Sequence, residues 1–392
     1  MRMARVGELA RQVRGVIFAK ADASKEPTTG SVAVLTASNI QDGRLVLGDL
    51  TYVPAELVRD KQRVQENDVV VCASSGSLSV VGKAARNLGD FDGGFGAFLK
   101  VLRPGPDVDP SYFAHYFQTS SYRRRVSSLA AGANINNLKN EHLDDLQIPL
   151  PPLPEQRRIA AILDHADDLR AKRRQVLAHL DALILSIFHD MFGDIAASTK
   201  VEEVATQIRT GPFGSQLLHN EFVAEGIAVL GLDNVVGNEF RWGERRYITP
   251  KKYAELTRYT VRPRDVLISI MGTTGRCVVV PDGIPMAINT KHICAITPDR
   301  EQLDPTFLRA TFLWHPESRA HLRRQTKGSI MDGLNMGIIK AMPIPVPPIG
   351  LQRRFARRAE AVETGRGTVL AAHGADDELF ASLQTRAFGG EL

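Results

Sequence analysis

The chain repeats itself at a constant distance. Val6-Gly7-Glu8-Leu9-Ala10 returns as Val201-Glu202-Glu203-Val204-Ala205, and Val34 to Ile40 returns as Val229 to Val235, each 195 residues on. From Gly132 and Leu138 (Gly328, Leu334), through Pro151-Pro152-Leu153 (Pro347-Pro348-Ile349) and Gln156-Arg157-Arg158 (Gln352-Arg353-Arg354), to Phe192-Gly193 (Phe388-Gly389), the offset is 196, half of 392. A duplicated unit of this size predicts two domains of one fold about a pseudo-twofold axis, an arrangement that suits a target with two parts.

Composition sets few limits. With 43% hydrophobic and 24% charged residues the chain has apolar material for two soluble cores. No stretch approaches 18 uncharged apolar residues and the N-terminus lacks a signal-type apolar run, which predicts a cytoplasmic protein with no membrane partner. Cys72, Cys277 and Cys294 show no CxxC spacing, so a disulfide framework and a zinc site are unsupported and buried thiols are expected. The net charge of +5 permits an anionic partner without demanding one.

Each copy reads as a mixed segment, a proline ladder and a long helix. Short β-rich runs at Ser31 to Leu35, Asp68 to Cys72, Ala228 to Leu230 and Asp265 to Ile270 lie between Gly, Asn and Asp clusters. The ladder Ile148-Pro149-Leu150-Pro151-Pro152-Leu153-Pro154 forces an extended approach, and its last proline can open a helix with Glu155 in the first turn. The helix is predicted from about Glu155 to Met191, roughly 54 Å at 1.5 Å per residue, a candidate ruler. Its seam is Ile159, Ile162, Ala166, Leu169, Val176, Leu180, Leu183 and Ile187, widened by Leu163, Leu177, Ile184 and Phe188. The second copy keeps Phe355, Val362, Val369, Leu379 and Leu383 on this stripe but carries Gly365, Gly367 and Gly374, each costing about 1 kcal/mol relative to Ala. It is expected to be the less stable helix, lying antiparallel to the first.

Motifs that suggest catalysis have structural readings. Asp109-Pro110-Ser111-Tyr112 looks like an amine-binding methyltransferase motif, yet its counterpart Asp304-Pro305-Thr306-Phe307 makes both copies an Asp N-cap with Pro in the first turn. Phe91 to Gly96 leads into strand-like sequence and reads as a turn. Gly76 to Lys83 is one residue too long for a phosphate loop, and Ala84 stands where Ser or Thr would bind magnesium. No nucleophile triad, metal-spaced histidine pair or duplicated carboxylate pair stands out, so the chain reads as one built to bind.

The candidate contacts are polar residues on turn-rich segments, types that read base edges and grip phosphates. In the first copy they are Ser38, Asn39, Ser75, Lys83, Arg86, Arg124, Asn134, Asn136 and Asn137. In the second they are Thr210, Gly214, Ser215, Gln216, Asp233, Asn234, Thr273, Thr274, Arg276, Lys291, His292, Arg323, Lys327 and Ser329. Arg123 to Arg125 and Arg323-Arg324 precede the glycine loops at Gly132 and Gly328, a basic helix end shared by both copies.

Gly211-Pro212-Phe213-Gly214-Ser215-Gln216-Leu217, Arg264 to Ser269 with Gly272 to Gly275, the helix opening Asp304-Pro305, the Gly328 to Leu334 loop and above all Ile148 to Ile159 (IPLPPLPEQRRI) resemble the specificity subunit of type I restriction-modification systems. The resemblance covers essentially the whole chain. It implies an α+β protein with two similar target-recognition domains, residues 1–148 and 195–343, each reading half of a split double-stranded DNA site. Segments 149–194 and 344–392 would each hold a proline ladder and a helix, the two helices antiparallel and coiled-coil-like, setting the spacer. It further implies no catalytic centre, cofactor or metal in this chain. Two modification subunits would bring S-adenosylmethionine and methylate adenine N6, and in the larger complex two restriction subunits would use ATP and magnesium. The seam residues Ile159, Ile162, Leu169, Val176, Leu180, Leu183, Ile187, Phe355, Val362, Leu379 and Leu383 are the candidate docking positions. One departure stands out: Pro154-Glu155 becomes Gly350-Leu351 in the second copy.

Two rivals remain open at this point, a self-contained DNA methyltransferase or nuclease and a tandem protein-binding scaffold. S-adenosylmethionine binding or DNA cleavage by the lone chain marks the first. Absence of salt-dependent, sequence-selective DNA binding marks the second.

Overall fold

The structure, a computed structural model, describes residues 2–130, 136–326 and 333–392. It divides into two compact units, residues 1–175 with 370–392 and residues 176–369, so the division falls inside both long helices.

In the first unit an antiparallel sheet runs in the order Ala10–Arg14, Leu99–Pro104, Val69–Cys72, Ala84–Arg86. Its centre, Val69-Val70-Val71-Cys72, is buried on both faces because successive side chains alternate. Val69 and Val71 face a core shared with helices Pro110–Tyr116 and Ser120–Ala130, while Val70 and Cys72 face a second core with Leu35 and Phe95. That second layer is Ser31–Leu35, antiparallel to Thr51–Pro54 and parallel to Gly94–Phe95. Part of the segment read as a plain turn, Phe91 to Gly96, is therefore a short strand.

The second unit repeats the plan in the same strand order, Ala205–Thr210, Ile293–Pro298, Val266–Ser269, Cys277–Val279. Ile227–Leu230 lies parallel to Ala287–Asn289, matching the first unit's second layer. In each unit the first strand pairs with the proline ladder, Met3–Arg5 with Gln147–Pro149 and Thr199–Lys200 with Pro343–Ile344. A fully buried aspartate recurs as Asp68 and Asp265, but its cation changes strands. Asp68 takes two 2.8 Å bonds from Arg103, whereas Asp265 takes Arg209 from the neighbouring strand, and Thr297 fills the place of Arg103 with a 2.6 Å bond. All three cysteines are buried free thiols.

The Asp-Pro capping motifs form in both copies. Asp109 accepts from the amides of Ser111 and Tyr112, and Asp304 from those of Thr306 and Phe307. A buried glutamine ties each cap to a long helix. Gln156 Oε1 accepts from the Asp109 amide at 2.8 Å while its Nε2 donates to Pro151 O at 2.8 Å. Gln352 does the same with Asp304 at 2.9 Å and Pro347 at 2.7 Å.

The central helix runs Leu153–Phe192 and the distal helix Ile349–Gly389, unbroken through Gly365, Gly367 and Gly374, where an added Cβ would meet nothing. The buried stripe differs from the predicted seam. Ile159 and Phe355 are buried as expected, and Val362 and Leu383 pack on the cores with Ile187. Ile162 and Leu180 are half-buried. Leu169, Val176, Leu183 and Leu379 are exposed at 39–54%, and the inward positions are Leu163, Ile184 and Phe188, from the flank expected to widen the seam, with Phe192, Ala359, Phe380 and Ala387. The reason is that each helix faces a domain core, whose broad apolar surface selects four-residue steps, rather than a narrow two-helix seam. Phe192 packs on Phe307 with centroids 4.7 Å apart, and its repeat partner Phe388 packs on Tyr112 at 5.0 Å. The helices also pair by charge. Arg170 meets Asp377 at 2.6 Å in the first unit and Arg366 meets Asp181 at 2.7 Å in the second, the same two positions of the repeat with the helices exchanged.

By length and composition the central helix is apolar enough to cross a membrane. Its apolar residues Ile184, Phe188 and Phe192 are accounted for by the second unit's core.

Replacing Gln156 or Gln352 by Ala leaves a cap amide and a ladder carbonyl unpaired, so each substitution is expected to cost about 3 kcal/mol. Chemical denaturation of the full chain measures it; a loss below about 1 kcal/mol contradicts the clamp.

Candidate nucleic-acid interface

The predicted contact residues fall into two groups. Asn39 and Asn234 are 2% and 3% exposed and spend their side chains on their own loops. Asn39 accepts from the Thr36 amide and donates to Val46 O and Asp49 O, and Asn234 accepts from the Gly231 amide and donates to Arg241 O. These two are corrected from readers to loop braces. A buried amide with both ends satisfied cannot turn outward without stranding its partners. Arg123 is likewise structural, donating to Val81 O and Ser79 O, which leaves Arg124 exposed beside it.

The second unit gathers most of the rest. Gly214, Asp233, Lys291 and His292 line a cavity of about 290 Å³ with Pro212, Leu217, Arg246 and Thr290. Arg246 holds Asp233 at 2.5 Å, so Asp233 presents a paired carboxylate. Burial and the charge of Lys291 push the His292 imidazole below its usual range, favouring its neutral form. Thr273, Thr274, Arg276 and Arg323 line a larger cavity of about 500 Å³ with Arg319 and Trp314. Gly272 precedes Thr273 of this cavity, and a Cβ there would lie 3.1 Å from Leu232 of the first. Ser215 and Gln216 are exposed on the neighbouring turn, where Gln216 accepts from the Tyr259 hydroxyl, and Thr210 is half-buried at the strand end.

In the first unit Ser75 pairs with Asn136 and Ser74 with Asn137, which is exposed. Asn137 lines a cavity of about 590 Å³ with Arg14, Ile17, Lys100 and Lys139. Ser38 and Lys83 are exposed at separate loops. Arg86 lies elsewhere, lining a cavity of about 320 Å³ with Arg44, His115, Asp164 and Asp167. There Ser111 and His115 both donate to Asp164, so the histidine does not face the serine hydroxyl as a nucleophile's base would. Asn134, Lys327 and Ser329, with the glycines Gly132 and Gly328, lie outside the described residues.

The same scaffold presents these surfaces in both units. Gly15 and Gly211 sit against the loop before the strands at Leu99 and Ile293, where a Cβ would lie 2.1 Å from Gly96 O or Asn289 O. That loop is fixed by matching bonds. Gly96 N donates to Leu35 O as Thr290 N does to Leu230 O, and Ala73 N donates to Phe98 O as Ile270 N does to His292 O, each at 2.9 Å. Leu138 N and Leu334 N then close on Ala73 O and Ile270 O. Sequence reasoning missed Arg14, Ile17, Phe98, Lys100, Arg246 and Arg319. Aligning the strand starts Leu99 and Ile293 places Ala97-Phe98 opposite the chosen pair Lys291-His292 and would have found the first-unit tip.

Among the described residues no group of three or more His, Cys, Asp or Glu is placed to hold a metal. Residues 2–179 match the family model of the type I restriction modification DNA specificity domain. The chain is 30% identical to the StySPI specificity subunit of Salmonella potsdam, the match covering 99% of this chain and 88% of that subunit. It is 28% identical to the EcoKI specificity subunit of Escherichia coli K12, covering 100% and 89%. The chain belongs to the type I restriction-modification specificity-subunit family. Its fold agrees: an S subunit from M. genitalium superposes with a TM-score of 0.60 at 16% identity, covering 99% of this chain and 96% of that one. A chain from a study of type I complex assembly and conformational transition gives 0.56 at 16% identity, covering 100% and 98%. As a specificity subunit the protein belongs to the non-catalytic component of its system, which sets aside the self-contained enzyme as the leading rival.

Lys100 is the most perturbed cation near these surfaces. Buried to 9% exposure with its ammonium 2.6 Å from Leu138 O, it is pushed down to about 8 by desolvation, with Arg14 adding to the effect. A lysine lowered on folding destabilises the fold fully below pH 8 and progressively less up to its unfolded value near 10.5, as the folded state sheds its proton first. Wild type should therefore gain on Lys100→Met by up to about 3 kcal/mol between pH 8 and 10.5. Denaturation at pH 7, 8, 9 and 10 measures the difference; a constant value contradicts the assignment.

Proposed function

We propose that this specificity subunit reads a bipartite duplex DNA site, one half per domain, and positions two modification subunits that methylate adenine. The observation that carries this reading is the repeated loop scaffold with changed side chains. Matching backbone bonds hold the tip in both units, while Phe98 in one corresponds to His292 in the other. A common frame with different polar and apolar faces suits two half-sites of different sequence. The cavity with Thr273, Thr274, Arg276, Arg319 and Arg323 fits phosphate contact, since backbone positioning by arginines accompanies base reading.

In this reading the long helices set the spacer and dock the partners. Leu169, Leu370 and Leu379 in the first unit, and Val176, Leu183 and Leu185 in the second, are exposed helical apolar residues suited to cover by modification subunits. The chemistry of S-adenosylmethionine, and of ATP and magnesium where two restriction subunits join, then lies in other chains. The working compartment is the cytoplasm, where the DNA is.

Equilibrium binding of the full chain with its modification partners, measured against salt, tests the reading. Selective binding that weakens linearly in log–log form is expected, and Arg276→Ala should lower the slope by about one without changing the preferred sequence. Binding that ignores sequence, or an unchanged slope, counts against the proposal.

A further inference from the structure

The most exposed large apolar side chains among the described residues are Ile17, at 84%, and Phe98, at 65%, and both belong to the loop pair of the first unit. They are not carried on a loose segment. Val16 N donates to Phe95 O at 2.7 Å, Phe98 O accepts from the amides of Ala73 and Ser74, and Gln62 donates to Gly15 O. Gly15 permits the close approach of the two loops. A chain that holds its two most exposed apolar groups on a fixed tip keeps them in water at a cost, which points to a ligand that covers them.

The surroundings identify the ligand's chemistry. Ile17 shares its cavity with Arg14, Lys100, Asn137, Asn140 and the ion pair Lys139–Glu141, and Phe98 O is bonded to the strand that pairs with Asn136 and Asn137. Apolar groups ringed by cations and amides match a nucleic acid, whose bases offer apolar faces inside a polyanion. With Lys139 paired to Glu141, Arg14 and Lys100 still leave the cavity net positive, which favours a polyanion as the covering ligand. The corresponding loops of the second unit expose Phe213, at 47%, and Lys291 beside the half-buried His292, so both units place an aromatic ring and polar groups here in different order.

Resting on the half-site reading above, we infer that Ile17 and Phe98 form an apolar wedge that packs on base faces of the first domain's half-site and partly unstacks one step, whereas the second domain reads with a more polar tip. The specificity is therefore asymmetric in kind. One half-site is read through stacking and deformability, the other through base-edge hydrogen bonds.

The test uses the full chain with its modification partners and a duplex carrying 2-aminopurine at successive positions of each half-site. Setting aside the target adenines, which the modification subunits themselves take out of the stack, wild type should raise fluorescence several-fold at one step of the first half-site and at none of the second. Phe98→Ala and Ile17→Ser should abolish that rise and weaken specific binding about tenfold or more, with Phe98→Tyr retaining both. Thermal melting of the variants confirms folding. Unaltered fluorescence and affinity in both variants overturns the wedge while leaving wild-type selectivity, and so the function, intact. Loss of partner co-purification with DNA binding unchanged overturns it in favour of a protein contact, whereas absence of selective binding by wild type overturns the half-site reading itself.

Discussion

Two buried glutamines join the parts of this molecule. Gln156 and Gln352 each accept from the amide of an aspartate that caps a domain helix and donate to a carbonyl of the proline ladder. The amide side chain is suited to this because it offers an acceptor and a donor at fixed geometry without a charge to desolvate. Prolines before it fix the direction of approach, and the helix after it inherits that direction.

Lateral packing reinforces the joint within each unit. Each domain core receives the start of one long helix and the end of the other, Ile159 and Leu163 with Phe380 and Ala387 in the first, Phe355 and Ala359 with Phe188 and Phe192 in the second. The paired Arg170–Asp377 and Arg366–Asp181 contacts fix the antiparallel register in their own units. Such partly exposed pairs add little stability, so their value lies in choosing one register over its neighbours. The glycines of the distal helix weaken its propensity but not its continuity, because packing on two cores supplies what isolated helical sequence lacks.

Much of this was legible in the residues. The duplication announced two like folds, Asp-Pro announced the caps, and the β-rich runs Ser31 to Leu35 and Asp68 to Cys72, set between turn-type clusters, hold the strands Ser31–Leu35 and Val69–Cys72. The helical face was read in part: its flank Leu163, Ile184 and Phe188 is buried, but a heptad seam and a core-facing stripe share residues such as Ile159 and diverge where Leu169, Val176, Leu183 and Leu379 turn outward. The site was harder to read. Asn39 and Asn234 have the composition of DNA readers and the environment of loop braces, and burial is a tertiary property that a single sequence does not display. Ile17 and Phe98 escaped notice for the opposite reason: apolar residues beside strands suggest core, and only the folded chain reveals them on the surface.

Central to the proposal is that one specificity subunit carries two different DNA-reading domains. Single-molecule sequencing of adenine methylation, in cells with and without this subunit and with its partners present throughout, bears on it directly. The account predicts one motif of two dissimilar halves separated by an invariant number of unspecified bases, vanishing when the subunit is removed. A contiguous motif, a variable gap or methylation that survives without the chain would contradict it.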